Sequence, residues 1–179
     1  MNKTLQEKIE ENRIIFITSN LDSATTSDII FNLMKWSNED EKQEIQLYIS
    51  STTGYFTNAI AIYDVLGTIP NPVSCYCIGC IGNFALLFLA RAKKGKRFAL
   101  NHTVFSLNQP CGSIGNGENQ QTEIEIEAKE TTYQRSIFEK ILSESFNISL
   151  EKVHELCEEE KQLKANEAVE LGIIDKILE

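Results

Sequence analysis

The chain has 179 residues, with 17 Lys and Arg against 26 Asp and Glu and a formal net charge of −9. That balance argues against a nucleic-acid partner, whose phosphates need a basic face, and the one basic cluster, Lys93-Lys94-Gly95-Lys96-Arg97, reads as a solvated turn. The longest apolar run is broken by Asn83 and Arg91 and falls far short of the ~20 residues of a membrane span, and the polar first thirteen residues resemble no signal peptide.

The length fits one domain over residues 1–179, large enough to bury about 70% of its unfolded surface. Leu5 to Asn12 is weakly amphipathic, Ile14 to Ile17 is a strand, and a helix is expected from about Ser27 to Trp36, with Thr25 and Asp28 as its capping start. Ile45 to Ile49 is the next strand, and Ser50-Ser51-Thr52-Thr53-Gly54 leads into a helix from about Tyr55 to Leu66. Val73 to Ile78 is apolar and β-branched, a buried strand, and Gly79 and Gly82 bracket a sharp turn into the apolar run Phe84 to Ala92. Such a turn exposes the first helical residue where N-terminal amides favour developing negative charge, a good place for an attacking side chain; here that residue is Asn83. Two short strands follow, Phe98 to Leu100 and Thr103 to Leu107, and the second runs into Asn108-Gln109-Pro110, so that Asn108 can face Asn83. Alternation of strand and helix implies a largely parallel α/β sheet with crossover helices, wound as a spiral.

Glu123 to Phe146 turns helical, with Tyr133, Ile137 and Ile141 on one stripe and Phe138 and Leu142 beside it. At ~1.5 Å per residue it is ~36 Å long, too long for so small a domain to cover. Ser149 to Glu158 and Asn166 to Leu171 are further helices, and Gly172 stops the latter before a strand from Ile173 to Leu178. The five cysteines are odd in number, which argues for a reducing compartment; Cys75, Cys77 and Cys80 lack a ligand at zinc spacing and read as small buried apolar residues, so neither metal nor cofactor is expected.

Several segments resemble the ClpP peptidase subunit of the Clp protease. Cys77-Ile78-Gly79-Cys80-Ile81-Gly82-Asn83 is similar to that family's nucleophile turn, and Ser106-Leu107-Asn108-Gln109-Pro110 to the segment that carries its base. Glu44 to Ser51, Ala61 to Asp64, Gly95 to Arg97, Thr122 to Ile126 and Ala165 to Ile177 resemble its other motifs in order, over roughly 13–178. The resemblance implies a ClpP/crotonase-like ββα spiral with a projecting handle of a long helix plus a strand: residues 13–110 and 147–178 form the head and 111–146 the handle. The 112–121 stretch is glycine-rich, polar and longer than in a typical member.

Matched residue by residue, Asn83 stands at the serine, Asn108 at the histidine and Glu160 at the aspartate of the triad, and Thr53 and Gly54 stand in the oxyanion loop. An amide is neither nucleophile nor base, and His102 and His154 read as surface residues. The expectation is therefore a chain that is not an enzyme: an inactive, ring-forming subunit of the ClpR kind, working beside active ClpP subunits in a heptameric ring. The family's AAA+ unfoldase docks in apolar clefts where Tyr48 matches an aromatic position and Gln46 replaces another, so weak or absent docking is expected on rings of this chain alone, with an unfoldase reached through the mixed complex. Fourteen asparagines point to an AT-rich genome, hence a plastid, either apicoplast or chloroplast stroma, with cyanobacterial cytoplasm as the other location. Two other readings stand beside this one, an active serine-type or unconventional peptidase and a crotonase-like acyl-CoA-binding protein.

Overall fold

The computed structural model describes residues 3–52, 54–111 and 120–179. Thr53 and the glycine-rich stretch 112–119 lie outside them.

Strands β1 (Ile14–Ile17), β2 (Ile45–Ile49), β3 (Val73–Cys77), β5 (Arg97–Leu100) and β8 (Lys176–Leu178) form a sheet in the order β1-β2-β3-β5-β8, every neighbouring pair parallel. The strand period of two sorts the side chains of β2: Ile45, Leu47 and Ile49 are fully buried, whereas Gln46 and Tyr48 face outward. Helices α2 (Ser23–Glu39), α3 (Phe56–Thr68) and α4 (Leu86–Arg91) supply Leu33, Ile62 and Phe88 to the same core. α1 (Leu5–Glu11) precedes β1 and buries none of its residues.

A second sheet of three short strands, β4 (Cys80–Gly82), β6 (Val104–Ser106) and β7 (Gln162–Lys164), lies in the order β4-β6-β7. β4 pairs parallel with β6, and β7 antiparallel with it. The chain leaves the first sheet at Ile78, turns at Gly79 (φ 70°) and enters the second; from β5 it does so again through a short turn to β6. Each time a strand of one sheet is followed by a strand of the other and then a helix, which is the expected ββα spiral. Glycine is needed at 79, because any side chain there would meet the Ser50 hydroxyl as well as an unfavourable positive φ.

Three expectations change. The helix α2 begins at Ser23 and not near Ser27, because Asp22 and not Thr25 caps it: its carboxylate accepts from the Thr25 amide at 2.8 Å, and helical bonding then extends to Glu39. β4 lies where only a turn was expected, and Gln162–Lys164 is a strand that no apolar periodicity announces. The closing strand is shorter than expected, Lys176–Leu178, because Gly172 (φ 72°) opens a turn that continues to Asp175.

Helix α5 (Gln121–Phe146) has 26 residues, so it is ~39 Å long. Only its second half docks, through Phe138, Glu139, Leu142 and Phe146, against α4 and α6 (Leu150–Glu158). The buried stripe is thus the Phe138–Leu142 one, while Tyr133 is 60% exposed. The first half also leaves Ile124 and Ile126 exposed.

Candidate functional site

Two adjacent strands of the small sheet carry the candidate residues. β4 ends at Gly82, which is packed so closely on β6 that a Cβ there would lie 3.3 Å from the Ser106 Cβ. Asn83 follows with φ 47°, a left-handed conformation that asparagine tolerates better than most residues, and a 3-10 turn from Asn83 to Ala85 then starts α4. This is a strand–elbow–helix turn, and it throws the side chain of residue 83 to the sheet edge. The Asn83 Nδ2 donates to the Thr52 carbonyl at 2.9 Å, which orients the amide and leaves its buried Oδ1 without a partner among the described residues.

On β6, Gly82 pairs with Ser106, and the Ser106 hydroxyl donates to the Asn108 Oδ1 at 2.7 Å. Asn83 and Asn108 follow neighbouring strands, each amide has its own partner, and no hydrogen bond joins them among the described residues. The loop facing them is held by Gly54, which bridges to Leu21 with φ 151°; a Cβ on Gly54 would come within 2.6 Å of the Leu21 Cβ. Thr53, the other residue expected in the oxyanion loop, is outside the described residues.

Glu160 does not join this group. It follows α6 with φ 49°, its side chain is exposed, and its neighbour Lys161 contributes a backbone bond, accepting from the Leu107 amide at 2.9 Å. The acidic residue that finds partners is Glu158. Its carboxylate lies 2.7 Å from the Arg135 Nη2. Arg135 also donates through Nε to Glu139 at 2.7 Å and through Nη1 to the Gln109 Oε1 at 3.0 Å, and its Nη2 lies 3.1 Å from His154 Nδ1. His154 Nδ1 is 3.1 Å from Glu139 as well. His154 is thus half-exposed, as read from the sequence, yet not a bystander. The Arg135 and Glu139 pair was missed; the one sequence signal for it was their i,i+4 spacing on α5.

The outer face of the large sheet holds a second candidate. Register sets Phe16, Tyr48, Tyr76 and Phe98 side by side across β1, β2, β3 and β5, with ring centroids 5.3, 4.7 and 5.1 Å apart in that order. Parallel sheets are usually covered on both faces, but here Phe16 is 50% exposed. A groove of about 270 Å³ runs along the row, lined by Tyr48, Tyr76, Phe98, Leu100 and Leu178. Gln46 shares this face but belongs to the next row, between Ile14 and Ser74.

Cys75, Cys77 and Cys157 are buried and pack as small apolar residues. Burial pushes the Cys75 and Cys77 thiols far up, and burial pushes Cys157 to about 12.

The two-sheet ββα spiral with a left-handed residue at its strand–helix elbow is an α/β scaffold that presents one side chain at a sheet edge. The model of the Clp protease family matches residues 1–179, and the chain belongs to that family. A relative from Frankia casuarinae, named ATP-dependent Clp protease proteolytic subunit 2, is 33% identical over 171 residues, covering 96% of this chain and 77% of its own length.

These findings correct the expectation that the chain is not an enzyme. The family it belongs to is a protease family, and a relative at 33% identity is named as a proteolytic subunit. The elbow conformation at residue 83, the backbone feature that presents a nucleophile, is also intact. Amides read from two short matched segments do not establish that the triad is replaced.

Proposed function

We propose that the chain is a ring-forming subunit of an ATP-dependent Clp protease complex, assembled with other subunits of its family. The observation that carries this reading is the uncovered apolar surface of α5. Ile124, Ile126 and Tyr133 lie exposed on a half-helix that the other described residues leave uncovered, and such a surface calls for a protein neighbour. The aromatic row from Phe16 to Phe98 fits the same reading, as the place where the apolar loops of a Clp-type ATPase dock. Native mass spectrometry of the chain, alone and co-expressed with a second family subunit, tests it. Heptameric or stacked heptameric species that include both subunits are expected, and a monomer in both preparations at micromolar concentration refutes the proposal.

A second reading, peptide hydrolysis by this chain itself, is favoured by the left-handed turn at Asn83 and by the Ser106 hydroxyl on the strand paired with Gly82. Turnover of a fluorogenic peptide by rings of this chain alone, blocked by a serine-directed fluorophosphonate and lost in Ser106→Ala, supports it. Turnover unchanged in Ser106→Ala removes Ser106 from the chemistry.

A further inference from the structure

Residues 107–111 follow β6, the strand that pairs with β4 before the elbow. Leu107 is fixed by its amide, which donates to the Lys161 carbonyl at 2.9 Å, and Asn108 by the Ser106 hydroxyl. Pro110 has no N–H to offer and the Cys111 Sγ reaches back only to the Gln109 carbonyl at 3.7 Å, so among the described residues the last side-chain tie from this segment to another element is made by Gln109. That side chain accepts from Arg135 at 3.0 Å.

Arg135 is suited to this because the guanidinium is a planar fork with five N–H donors. Its Nε is taken by Glu139, whose side chain is 7% exposed, and its Nη2 by Glu158 on α6. Nη1 then points at Gln109 from a head that two carboxylates hold on two helices. A lysine in the same place would offer a point charge on a flexible stem and could not span Glu139, Glu158 and Gln109 at fixed angles. His154 cannot replace the arginine here, since its Nδ1 is shared between Arg135 and Glu139 and its Nε2 lies 3.9 Å from Glu158, too far for a hydrogen bond.

We infer that Arg135 is a positioning residue for the 107–111 segment: it fastens Gln109, and through it Asn108, to helices α5 and α6. The inference deepens the protease reading and rests on it only for the segment's role at the elbow. Its readout, amide exchange, does not depend on assembly with a partner or on peptide turnover, so the two can fail separately.

The test is hydrogen exchange of the Leu107 amide in the full chain, with β3 and α3 amides as controls. Loss of one charge-assisted hydrogen bond is expected to speed exchange at Leu107 about tenfold or more in Arg135→Met, and about equally in Gln109→Leu, which leaves Glu139, His154 and Glu158 untouched. The double variant is expected to exchange no faster than Arg135→Met alone, because both changes cut the same tie. Arg135→Lys is expected to leave exchange as fast as Arg135→Met. A merely structural role predicts the reverse pattern: Arg135→Met loosens α5 and α6 while Gln109→Leu leaves Leu107 unchanged. Either that pattern or additive effects in the double variant overturns the inference. Should Arg135→Met fail to fold, Gln109→Leu by itself still decides, since unchanged exchange at Leu107 refutes the tether.

Discussion

Replacing Asp175 by asparagine should cost about 3 kcal/mol, which follows from the number of donors its carboxylate serves. One oxygen accepts from the Gly95 amide, the Arg97 amide and the Arg97 Nε at 2.8, 2.9 and 2.9 Å, and the other from the Arg97 Nη2 at 2.6 Å. The Arg97 side chain is only 7% exposed and lies over the Phe146 ring at 5.4 Å, so it cannot turn to water when its partner is lost. Breaking a buried pair by removing one charge costs ~3–5 kcal/mol, and asparagine, keeping one acceptor oxygen, should fall at the lower end. For a chain of this size that lowers the melting temperature by roughly 6–12 °C. Burial pushes the Asp175 carboxyl up, but hydrogen bonds and charge from Arg97 and the Gly95 amide outweigh it and hold it below the ordinary value. A carboxylate depressed by folding adds stability above its unfolded pKa of ~3.9 and loses it as pH falls through the lower folded value. The gap between wild type and Asp175→Asn, measured by urea unfolding at fixed protomer concentration, should therefore be full at pH 7 and narrow below about pH 4. A gap under about 0.5 kcal/mol at pH 7, or one that stays constant on acidification, refutes this account of the pair.

Phe138 is fully buried and meets Phe84 edge-on at 5.7 Å, joining α5 to the elbow, so Phe138→Ala should cost about 3–5 kcal/mol in chemical denaturation. Gly54→Ala drives a Cβ into Leu21 at a φ of 151°, and a loss of more than about 1 kcal/mol is expected from a thermal melt, with none expected if the 54 loop can move freely. Asn83→Ala keeps the left-handed backbone without an asparagine's tolerance for it and drops the bond to Thr52; about 2 kcal/mol should be lost, and Asn83→Gly should lose less. Tyr48→Ser opens the centre of the aromatic row, and the affinity of an assembled ring for a Clp-type ATPase should fall at least about tenfold by fluorescence anisotropy, as for other central aromatic anchors.

The parts of this fold that could be read in the sequence are those where one segment carries its own pattern. Ile45 to Ile49 alternates, Val73 to Cys77 is apolar apart from Ser74, and Gly172 ends α7 (Ala165–Glu170) in the positive φ that glycine favours. The elbow at residue 83 was legible for the same reason, since Gly79 and Gly82 stand just before it and an apolar run follows. What stayed hidden depends on partners far along the chain. β7 is three residues, Gln-Leu-Lys, and becomes a strand only because Phe105 lies opposite Leu163. Glu158 and Glu160 look alike in sequence, and only the arrival of Arg135 from α5 tells them apart. The aromatic row was visible at one residue, Tyr48, because its other members lie on three further strands and register alone brings them together.

The order of the large sheet has a consequence for synthesis. β5 finds one neighbour, β3, some twenty residues upstream, but its other edge is closed only when Phe98 meets Lys176, and the turn before β5 is tied down only when Asp175 arrives. While a ribosome makes this chain, the β5 edge and the apolar side chains beneath it stand open until the last pairing residues have emerged, a wait of several seconds at ~5–20 residues per second. An unpaired strand edge held that long is a template for wrong pairing, so the nascent chain is most exposed to aggregation in the interval before β8 emerges.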